Sequence, residues 1–270
     1  MKNSVVSLPP AASTKFDQVC LFDIPISNVN LEEAVECVRQ FVNEDFLHHI
    51  VVMNTNKFWI AHHVDGMHDI LRRAEMIISE YGPVWASRVM GTPLKANVRG
   101  IGLFLSLVPK FEEWGVPVYF FGAREEVLQV LLQEVRQEYP RLRIAGARNG
   151  FFDTFEEAKI VSDINASGAA ALFVAMGSPR QETFIERHRA ILRPRVVMGV
   201  GGSFDVLAGI KQDAPAWTHC GIEWLYRLWL DPKNLLKRYM RVHPWFVYVT
   251  LRARIKALIG AKGAGSTHAR

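Results

Sequence analysis

The stretch that decides the fold is Ala170–Met176, which reads AALFVAM and runs directly into Gly177. It is a continuous apolar run of strand length, and the segment Arg180–Ile191 after it has the spacing of an amphipathic helix. Apolar strands that alternate with such helices are typical of a parallel sheet with helices on both faces. The same pattern recurs in the strand-like runs Val116–Phe121, Leu142–Ala147 and Val196–Val200 and in the helical stretches Glu125–Glu138 and Phe155–Ala166. The sequence therefore predicts an α/β fold of Rossmann-like type with a mostly parallel sheet.

Outward from this region, the same reasoning divides the chain. Leu31 to Val42 carry apolar residues at helical spacing behind Asn30, a suitable cap, and His49–Met53 is an apolar strand. Residues 1–19 are polar and read as a flexible extension, 20–231 as the α/β domain, and 232–270 as a basic helical C-terminal appendage.

Composition excludes several classes of protein. The chain has 270 residues, 49% hydrophobic and 22% charged, which is the balance of a folded protein rather than a disordered one. It lacks an apolar run long enough for a membrane span and an N-terminal signal peptide, so we expect a cytoplasmic protein. Its three cysteines are widely spaced without a CxxC pair, so neither a disulfide scaffold nor a zinc ribbon is expected.

The net charge of +5 comes entirely from the appendage. Residues 232–270 contain nine Lys and Arg and no Asp or Glu, whereas the first 231 residues hold 23 basic and 27 acidic side chains. Such asymmetry points to an anionic partner: a membrane surface, a nucleic acid or phosphates. A merely solvated basic tail is the alternative.

Glycines follow four of the predicted strands. The turns contain Gly122, Gly150, Gly177 and Gly202. In parallel sheets ligands bind beyond the carboxyl ends of the strands, where glycine turns let backbone N–H groups face an anion. One such turn is usually only a turn, but four together favour a nucleotide or sugar-phosphate site.

The common phosphate and metal motifs do not occur. The chain has no GxxxxGK[ST], which excludes a P-loop nucleotidase, and no GxGxxG after its first strand, which makes a dehydrogenase improbable. The nine histidines form no HxxxH or HExxH, so packing or surface roles are favoured over metal ligation.

Several longer motifs in order resemble the WecG/TagA/CpsF glycosyltransferases over roughly residues 20–245. The matching motifs are FFG at 120–122, NGFF at 149–152, MGSPRQE at 176–182, GVGGSFD at 199–205 with AG at 208–209, DAP at 213–215, GIEWLYR at 221–227, DP at 231–232 and RY at 238–239. The resemblance implies an inverting transfer of a sugar, often N-acetylmannosamine or its uronic acid, from a UDP-sugar to an undecaprenyl-diphosphate-linked sugar, without a metal. It also implies a C-terminal appendage that docks on the inner face of the membrane and helps to close the active site, and members that can self-associate.

The N-terminal half departs from the family pattern. Asn56 matches, but Asn54 stands where the family has a threonine. The family's proposed catalytic Asp precedes a glycine; here the stretch 79–88 reads SEYGPVWASR, so Glu80 is the natural substitute, unless the register places Tyr81 there. The family's arginine in the next motif becomes Asn97, and Arg99 or Arg88 would take over its phosphate contact.

The resulting hypothesis is a UDP-sugar-dependent transferase of surface or exopolysaccharide synthesis that transfers an N-acetylmannosamine-type sugar or a hexose. Glu80 removes the acceptor proton, and Asn56 and Gln181 complete the catalytic set. Asn149 and the glycine turns hold sugar and diphosphate, and Asp205 or Glu223 orients the sugar or the uridine. The full set of predicted binding residues is Asn54, Arg88, Arg99, Gly122, Asn149, Gly150, Phe152, Gly177, Pro179, Glu182, Gly202, Phe204, Asp205, Glu223, Arg227 and Arg238. For the segment 213–227 a packed helix with a structural ion pair is an equal alternative.

Two rival functions remain open. The altered stretch around Glu80 is compatible with a catalytically silent nucleotide-sugar-binding subunit of a polysaccharide assembly complex. Nucleic-acid binding, which the basic tail suggests, is less favoured, because no reading module is recognisable and the Trp-rich tail suits lipid better.

Overall fold

The computed structural model describes residues 16–215, 217–218 and 221–265, and of residues 234 and 260–265 it describes the backbone alone. Its centre is a six-stranded sheet, in the order β4-β3-β8-β7-β5-β6, in which every neighbouring pair is parallel. The strands are β3 (His48–Met53), β4 (Met76–Ser79), β5 (Val118–Gly122), β6 (Ile144–Arg148), β7 (Ala171–Ala175) and β8 (Val196–Gly199). A separate antiparallel hairpin precedes them, formed by β1 (Gln18–Leu21) and β2 (Ile24–Ser27).

Helices connect the strands and cover the sheet. They are α1 (Leu31–Phe41), α2 (Thr55–His63), α3 (Met67–Arg72), α4 (Tyr81–Met90), α5 (Gly100–Trp114), α6 (Glu125–Glu138), α7 (Glu157–Ala166), α8 (Arg180–His188), α9 (Ser203–Leu207), α10 (Glu223–Leu230) and α11 (Pro232–Gly265). A 3-10 turn, Thr154–Glu156, leads into α7.

Alternate residues of each strand enter different hydrophobic cores. Val52 and Phe173 point to the face that α1, α5 and α6 cover, whereas Met53 and Val174 point to the opposite face. Because successive side chains of a strand point to opposite faces, continuous apolar strands bury both sides of the sheet. The predicted α/β fold with helices on both faces is thus confirmed.

The local predictions from the sequence also agree with the structure. α6 has the bounds read from the sequence, and Asn30 caps α1, accepting a hydrogen bond from the Glu33 N–H at 2.8 Å. The sequence analysis missed the edge strand β4, a run of only four residues, and the hairpin β1–β2. Gln18 and Val19 begin that hairpin, so regular structure starts inside the predicted extension 1–19, of which residues 1–15 lie outside the described part.

The appendage is a long helix that packs on the α/β domain. α11 runs for 34 residues and contacts α2 and α4. Phe246, only 2% exposed, lies among Phe22, Phe58 and Trp85, with ring centroids 5.3–6.4 Å apart across this cluster. Among the described residues, no helix combines the length and the apolar character needed to cross a membrane.

We expect Phe246→Ala to loosen α11 from the domain. The substitution removes a buried ring from this aromatic cluster, which typically costs about 3–5 kcal/mol of unfolding free energy. Denaturant unfolding followed by tryptophan fluorescence measures it. Tyr248→Ala is the matched control on the same helix, because Tyr248 is 60% exposed and its loss should change stability little. Equal effects of the two substitutions would contradict this packing.

Candidate active site at the carboxyl edge of the sheet

A cavity of about 340 Å³ lies where β3 and β4 end and α10 and α11 cover the sheet edge. Both polar and aromatic side chains line it. Its lining consists of Asn54, Thr55, Asn56, Glu80, Tyr81, Gly82, Trp85, Asn97, Arg99, Gly221, Glu223, Trp224, Arg227, Arg238, Tyr239, His243, Phe246 and Val247. The cavity therefore joins residues from the divergent N-terminal half to residues from the well-matched C-terminal motifs.

Glu80 is the carboxylate at the centre of this site. It follows β4 directly and precedes α4, and its backbone N–H donates to the Met53 carbonyl at 2.9 Å. Asn54, whose side-chain NH₂ can donate to a carboxylate, lines the same cavity as Glu80. Tyr81, which the other register would place at the position of the base, lines the same cavity.

Asn54 is oriented by the helix that it caps. Its Oδ1 accepts the Lys57 backbone N–H at 2.9 Å, at the first turn of α2. A backbone N–H can only donate, so the amide oxygen must face Lys57 and the amide NH₂ is left for the Glu80 carboxylate. The cap thereby fixes a hydrogen-bond donor on the candidate base.

The surroundings of Glu80 disfavour its ionised form. Burial raises the pKa of the Glu80 carboxyl, and the nearby Glu223 carboxylate raises it further. Arg227, Asn54 and the Gly100 N–H act in the opposite direction without cancelling the rise. A carboxylate with a raised pKa is a stronger proton acceptor, which suits a general base for a hydroxyl group.

Ion pairs hold the segment before α11 against the cavity. Arg99, the residue before α5, donates from Nη1 to Asp213 at 3.1 Å and from Nε to Glu223 at 3.1 Å. Glu223 also accepts from Arg227 Nη2 at 2.6 Å. Burial works against ionisation of Asp213, but the hydrogen bond from Arg99 lowers its pKa below the usual range. The structural ion pair that was the alternative interpretation of the segment 213–227 is present, and its residues line the cavity.

The arginines predicted for phosphate contact therefore differ in position. Arg99 lines the cavity with its guanidinium already engaged by two carboxylates. Arg227 and Arg238 line it from α10 and α11 and are exposed, and Arg227 donates from Nε and Nη2 to Glu223. Arg88 is exposed in the last turn of α4 and is not part of the lining among the described residues.

Gln181 and Glu182 lie beside the cavity rather than in its lining, and they are almost completely buried. Gln181 accepts the Gly201 N–H at 3.2 Å through Oε1 and donates from Nε2 to Glu182 at 2.9 Å. Glu182 also accepts from Ser178 Oγ at 2.9 Å and from Lys57 Nζ at 2.6 Å. Both ends of the Gln181 amide thus have partners inside the protein, and Gln181 supports the turn after β8.

The predicted glycine turns meet at the ends of β5, β6 and β7. Gly122 has φ +131°, and a Cβ there would lie 2.4 Å from the Ala175 carbonyl oxygen, so only glycine fits. A Cβ on Gly150 would lie 3.0 Å from the Gly122 Cα, so the two turns are in contact. Gly177, with φ +73°, and the cis Ser178–Pro179 bond begin the turn before α8.

Other predicted binding residues at this edge have structural partners. Asn149 donates to Glu125 at 2.7 Å and accepts the Phe151 N–H. Phe152 stacks on Phe121 at 5.6 Å. Phe204, predicted to contact substrate, is fully buried in the core, which leaves Gly202 before it as the exposed part of that turn. Asp205 lies in the first turn of α9, 3.5 Å from Lys211 Nζ.

Sequence reasoning missed part of the site. Trp85, Tyr239 and His243 line the cavity, and buried Lys57 pairs with Glu182. Burial lowers the pKa of His243, and nearby Arg238 lowers it further. A buried lysine one residue after Asn56 belongs to no sequence motif. In the sequence alone, the aromatic residues look like core positions, and only the packing of α11 on α4 shows that they line one cavity.

In the part of the chain that the structure describes, no group of three or more His, Cys, Asp or Glu could hold a metal ion.

Comparison with known proteins identifies the family. Residues 19–259 match the model of the glycosyl transferase WecG/TagA/CpsF family. The chain belongs to this family. A protein of Bacillus spizizenii named N-acetylglucosaminyldiphosphoundecaprenol N-acetyl-beta-D-mannosaminyltransferase is 34% identical over 165 residues, which are 60% of this chain and 63% of that protein. A Bacillus subtilis protein of the same name is 27% identical over 215 residues, 78% of this chain and 83% of that protein.

Membership confirms the predicted resemblance over both halves of the cavity. The match to the WecG/TagA/CpsF model includes Asn54, Glu80 and Arg99 as well as α10 and most of α11. The divergent segment is therefore part of the region that matches the family model. The pairwise comparison with the Bacillus spizizenii protein spans less than two thirds of that protein.

The raised pKa of Glu80 predicts a stability effect in this WecG/TagA/CpsF member. When a folded-state pKa lies above the unfolded one, stability is lost as pH rises through the folded pKa. Glu80→Gln cannot ionise, so its thermal midpoint relative to the wild type should be higher at about pH 8 than at about pH 4.

Thermal unfolding at the two pH values measures this difference. Glu126→Gln, on an exposed position of α6, is the control and should leave the midpoint almost unchanged at both. A Glu80→Gln variant that is destabilised more at high pH than at low pH would contradict the environment described for Glu80.

Proposed function

We propose that this protein is an inverting glycosyltransferase of cell-envelope polysaccharide synthesis. It transfers a sugar of the N-acetylmannosamine type from a UDP-sugar to a hydroxyl group of an undecaprenyl-diphosphate-linked N-acetylglucosamine. Both named relatives carry this acceptor and this transferred sugar in their names. The observation that carries the proposal is the presence of Glu80, Arg227 and Arg238 in one cavity.

In the proposed reaction Glu80 acts on the acceptor. Its carboxylate takes the proton of the attacking hydroxyl, the hydroxyl oxygen bonds to the anomeric carbon from the face opposite the leaving group, and the bond to the diphosphate breaks. The proton stays on Glu80 and UDP leaves with the electron pair. A general base of this kind contributes typically about 10²–10⁴ to the rate.

The cavity suits a sugar carrying a diphosphate. Its volume of about 340 Å³ lies in the range of small-molecule sites, and Trp85, Trp224 and Tyr239 offer flat apolar faces to a pyranose ring. Arg227 and Arg238 are exposed enough to donate to phosphate oxygens, as arginines do in bidentate pairs. Asn56 belongs to the same lining, where its amide can hydrogen-bond a sugar hydroxyl.

The donor is proposed to bind at the adjoining glycine turns. Gly122, Gly150, Gly177 and Gly202 present backbone to the carboxyl edge of β5 to β8, where parallel sheets bind nucleotides. Gln181 keeps the Gly201 N–H engaged and so fixes the shape of one of these turns. We propose that arginines and backbone N–H groups neutralise the diphosphate, so that the transfer needs no metal.

The pH dependence of turnover tests the role of Glu80. UDP release from UDP-N-acetylmannosamine, with a short-chain polyprenyl-diphosphate N-acetylglucosamine as acceptor, should increase with pH as Glu80 ionises. Glu80→Gln should lower kcat about 10²–10⁴-fold. Because Glu223 raises the pKa of Glu80, Glu223→Gln should move the acid limb of the kcat profile to lower pH.

The same assay separates the rival function. UDP binding by calorimetry without turnover on any lipid-linked acceptor would support the catalytically silent nucleotide-sugar-binding subunit. Turnover that survives Glu80→Gln with an unchanged acid limb would refute the assignment of the base. Repeating the assay with EDTA and with magnesium tests the proposed metal independence.

We also propose that α10 and α11 dock on the inner surface of the cytoplasmic membrane. The two helices are in contact and share an exposed apolar surface with basic residues on the same helices. Its large apolar members are Trp224, Leu225, Trp229, Leu230, Met240, Tyr248, Leu251, Ile255, Leu258 and Ile259, and the exposed basic residues include Lys237, Arg241, Arg252 and Lys256. Apolar side chains amid Lys and Arg are the composition of interfacial helices on anionic lipid.

Co-sedimentation with phosphatidylglycerol vesicles tests the membrane surface. Trp229→Ala combined with Ile255→Ala removes two side chains that are 76% and 56% exposed, and should weaken vesicle binding about tenfold or more. Ile191→Ala, which removes a similarly exposed side chain after α8, is the control and should bind normally. Equal binding to neutral and anionic vesicles would contradict the role of the basic residues.

A further inference from the structure

Lys57 is a buried charge that the proposed reaction does not use. It lies on α2, whose other buried side chains, Phe58, Ile60 and Ala61, are apolar. Its side chain is 6% exposed and its partner Glu182 is 1% exposed, with Nζ and Oε1 2.6 Å apart. Burying two charges is costly, and replacing such a pair by apolar residues often stabilises a protein. Fold stability alone therefore gives no reason for this pair.

The pair connects three strand ends. Glu182 Oε1 accepts from Lys57, from Ser178 and from Gln181, and Gln181 in turn accepts the Gly201 N–H. We call this set of hydrogen bonds the Lys57 bridge. Burial acts to raise the pKa of Glu182, but the charge of Lys57 lowers it below its usual range, so the bridge is ionic. It fixes the start of α2 to the start of α8 and to the turn after β8.

The other end of Lys57 leads to Glu80. Its backbone N–H donates to the Asn54 Oδ1 at 2.9 Å, which leaves the Asn54 NH₂ for the cavity that Asn54 shares with Glu80. Lys57 itself does not line the cavity among the described residues. One residue thus connects the turns proposed to bind the donor with the hydrogen-bond donor on the proposed base.

We propose that Lys57 is a positioning residue that sets the hydrogen bond from Asn54 to Glu80 through the Lys57 bridge. This inference rests on the proposed role of Glu80. Without the ion pair, the first turn of α2 is no longer fixed to Glu182, and the Asn54 amide is no longer held in the orientation that points its NH₂ at Glu80. Small misplacements of this kind cost about 10²-fold in rate when they reach the reacting groups.

The titration of Glu80 measures this directly and without turnover. In the full chain labelled with ¹³C at glutamate carboxyl carbons, the Glu80 resonance is the one missing from Glu80→Gln. The groups that shift the Glu80 pKa are Glu223 and Arg227 from α10, Asn54 from α2 and the Gly100 N–H from α5. Losing the Asn54 donor should shift the Glu80 midpoint to higher pH in Lys57→Met, because that hydrogen bond favours the ionised form.

Three further variants separate positioning from stability. Lys57→Met combined with Glu182→Gln leaves no unpaired buried charge, so it should recover thermal stability while the Glu80 midpoint stays raised. Lys57→Arg keeps a cation and should restore the wild-type midpoint at least in part. Arg73→Met, which removes the exposed ion pair between Arg73 and Glu186 of α8, is the matched control and should not move it.

Kinetics then give the second readout. In Lys57→Met and in the double variant, kcat should fall about tenfold to a hundredfold with little change in acceptor KM, since Lys57 is outside the cavity lining. A folded double variant with the wild-type Glu80 midpoint and wild-type kcat would overturn the inference. If the wild type shows no turnover, the proposed function fails, but the ¹³C titration still decides the role of Lys57.

Discussion

All six strands of the central sheet run in one direction, and the location of the site depends on this constraint. Parallel strands place every carboxyl end at the same edge, so turns from distant parts of the sequence become neighbours. Asn54 after β3, Glu80 after β4, Gln181 after β7 and Gly201 after β8 all lie at that edge. The hydrogen bonds from Lys57 to Glu182 and from Gln181 to Gly201 exist because of it.

Buried charged groups at the carboxyl edge of the sheet lower the stability of the fold. Glu182 and Lys57 are buried together, and burial raises the pKa of Glu80. Apolar residues would fill these places with less penalty. Unfavourable groups that gather at one edge of an otherwise apolar fold are typical of sites where reactivity is tuned by the environment. The groups whose burial is energetically unfavourable therefore lie at the same edge of the sheet as the cavity.

Helices α10 and α11 complete the site from outside the sheet. The ion pairs of Arg99 with Asp213 and Glu223 attach the segment before α11, and Phe246 attaches α11 itself. Half of the cavity lining comes from these additions, and their outer surfaces are apolar and basic. Part of the cavity lining and the proposed membrane surface thus belong to the same pair of helices.

The sequence by itself determined the parallel sheet, the capped α1, the bounds of α6 and the family, because continuous apolar runs, caps and ordered motifs are local patterns. It also singled out Glu80, because the resemblance to the family places a carboxylate at this point of the sequence. Only the tertiary structure decided that Glu80 shares a cavity with Arg227 and Arg238, that Phe204 is core, and that Gln181 faces inward. The tertiary structure also revealed the edge strand β4 and the contacts of Lys57. A buried ion pair between residues 125 positions apart leaves no local signal in the sequence. Contacts across a sheet edge depend on how strands are ordered, and no single segment encodes that order.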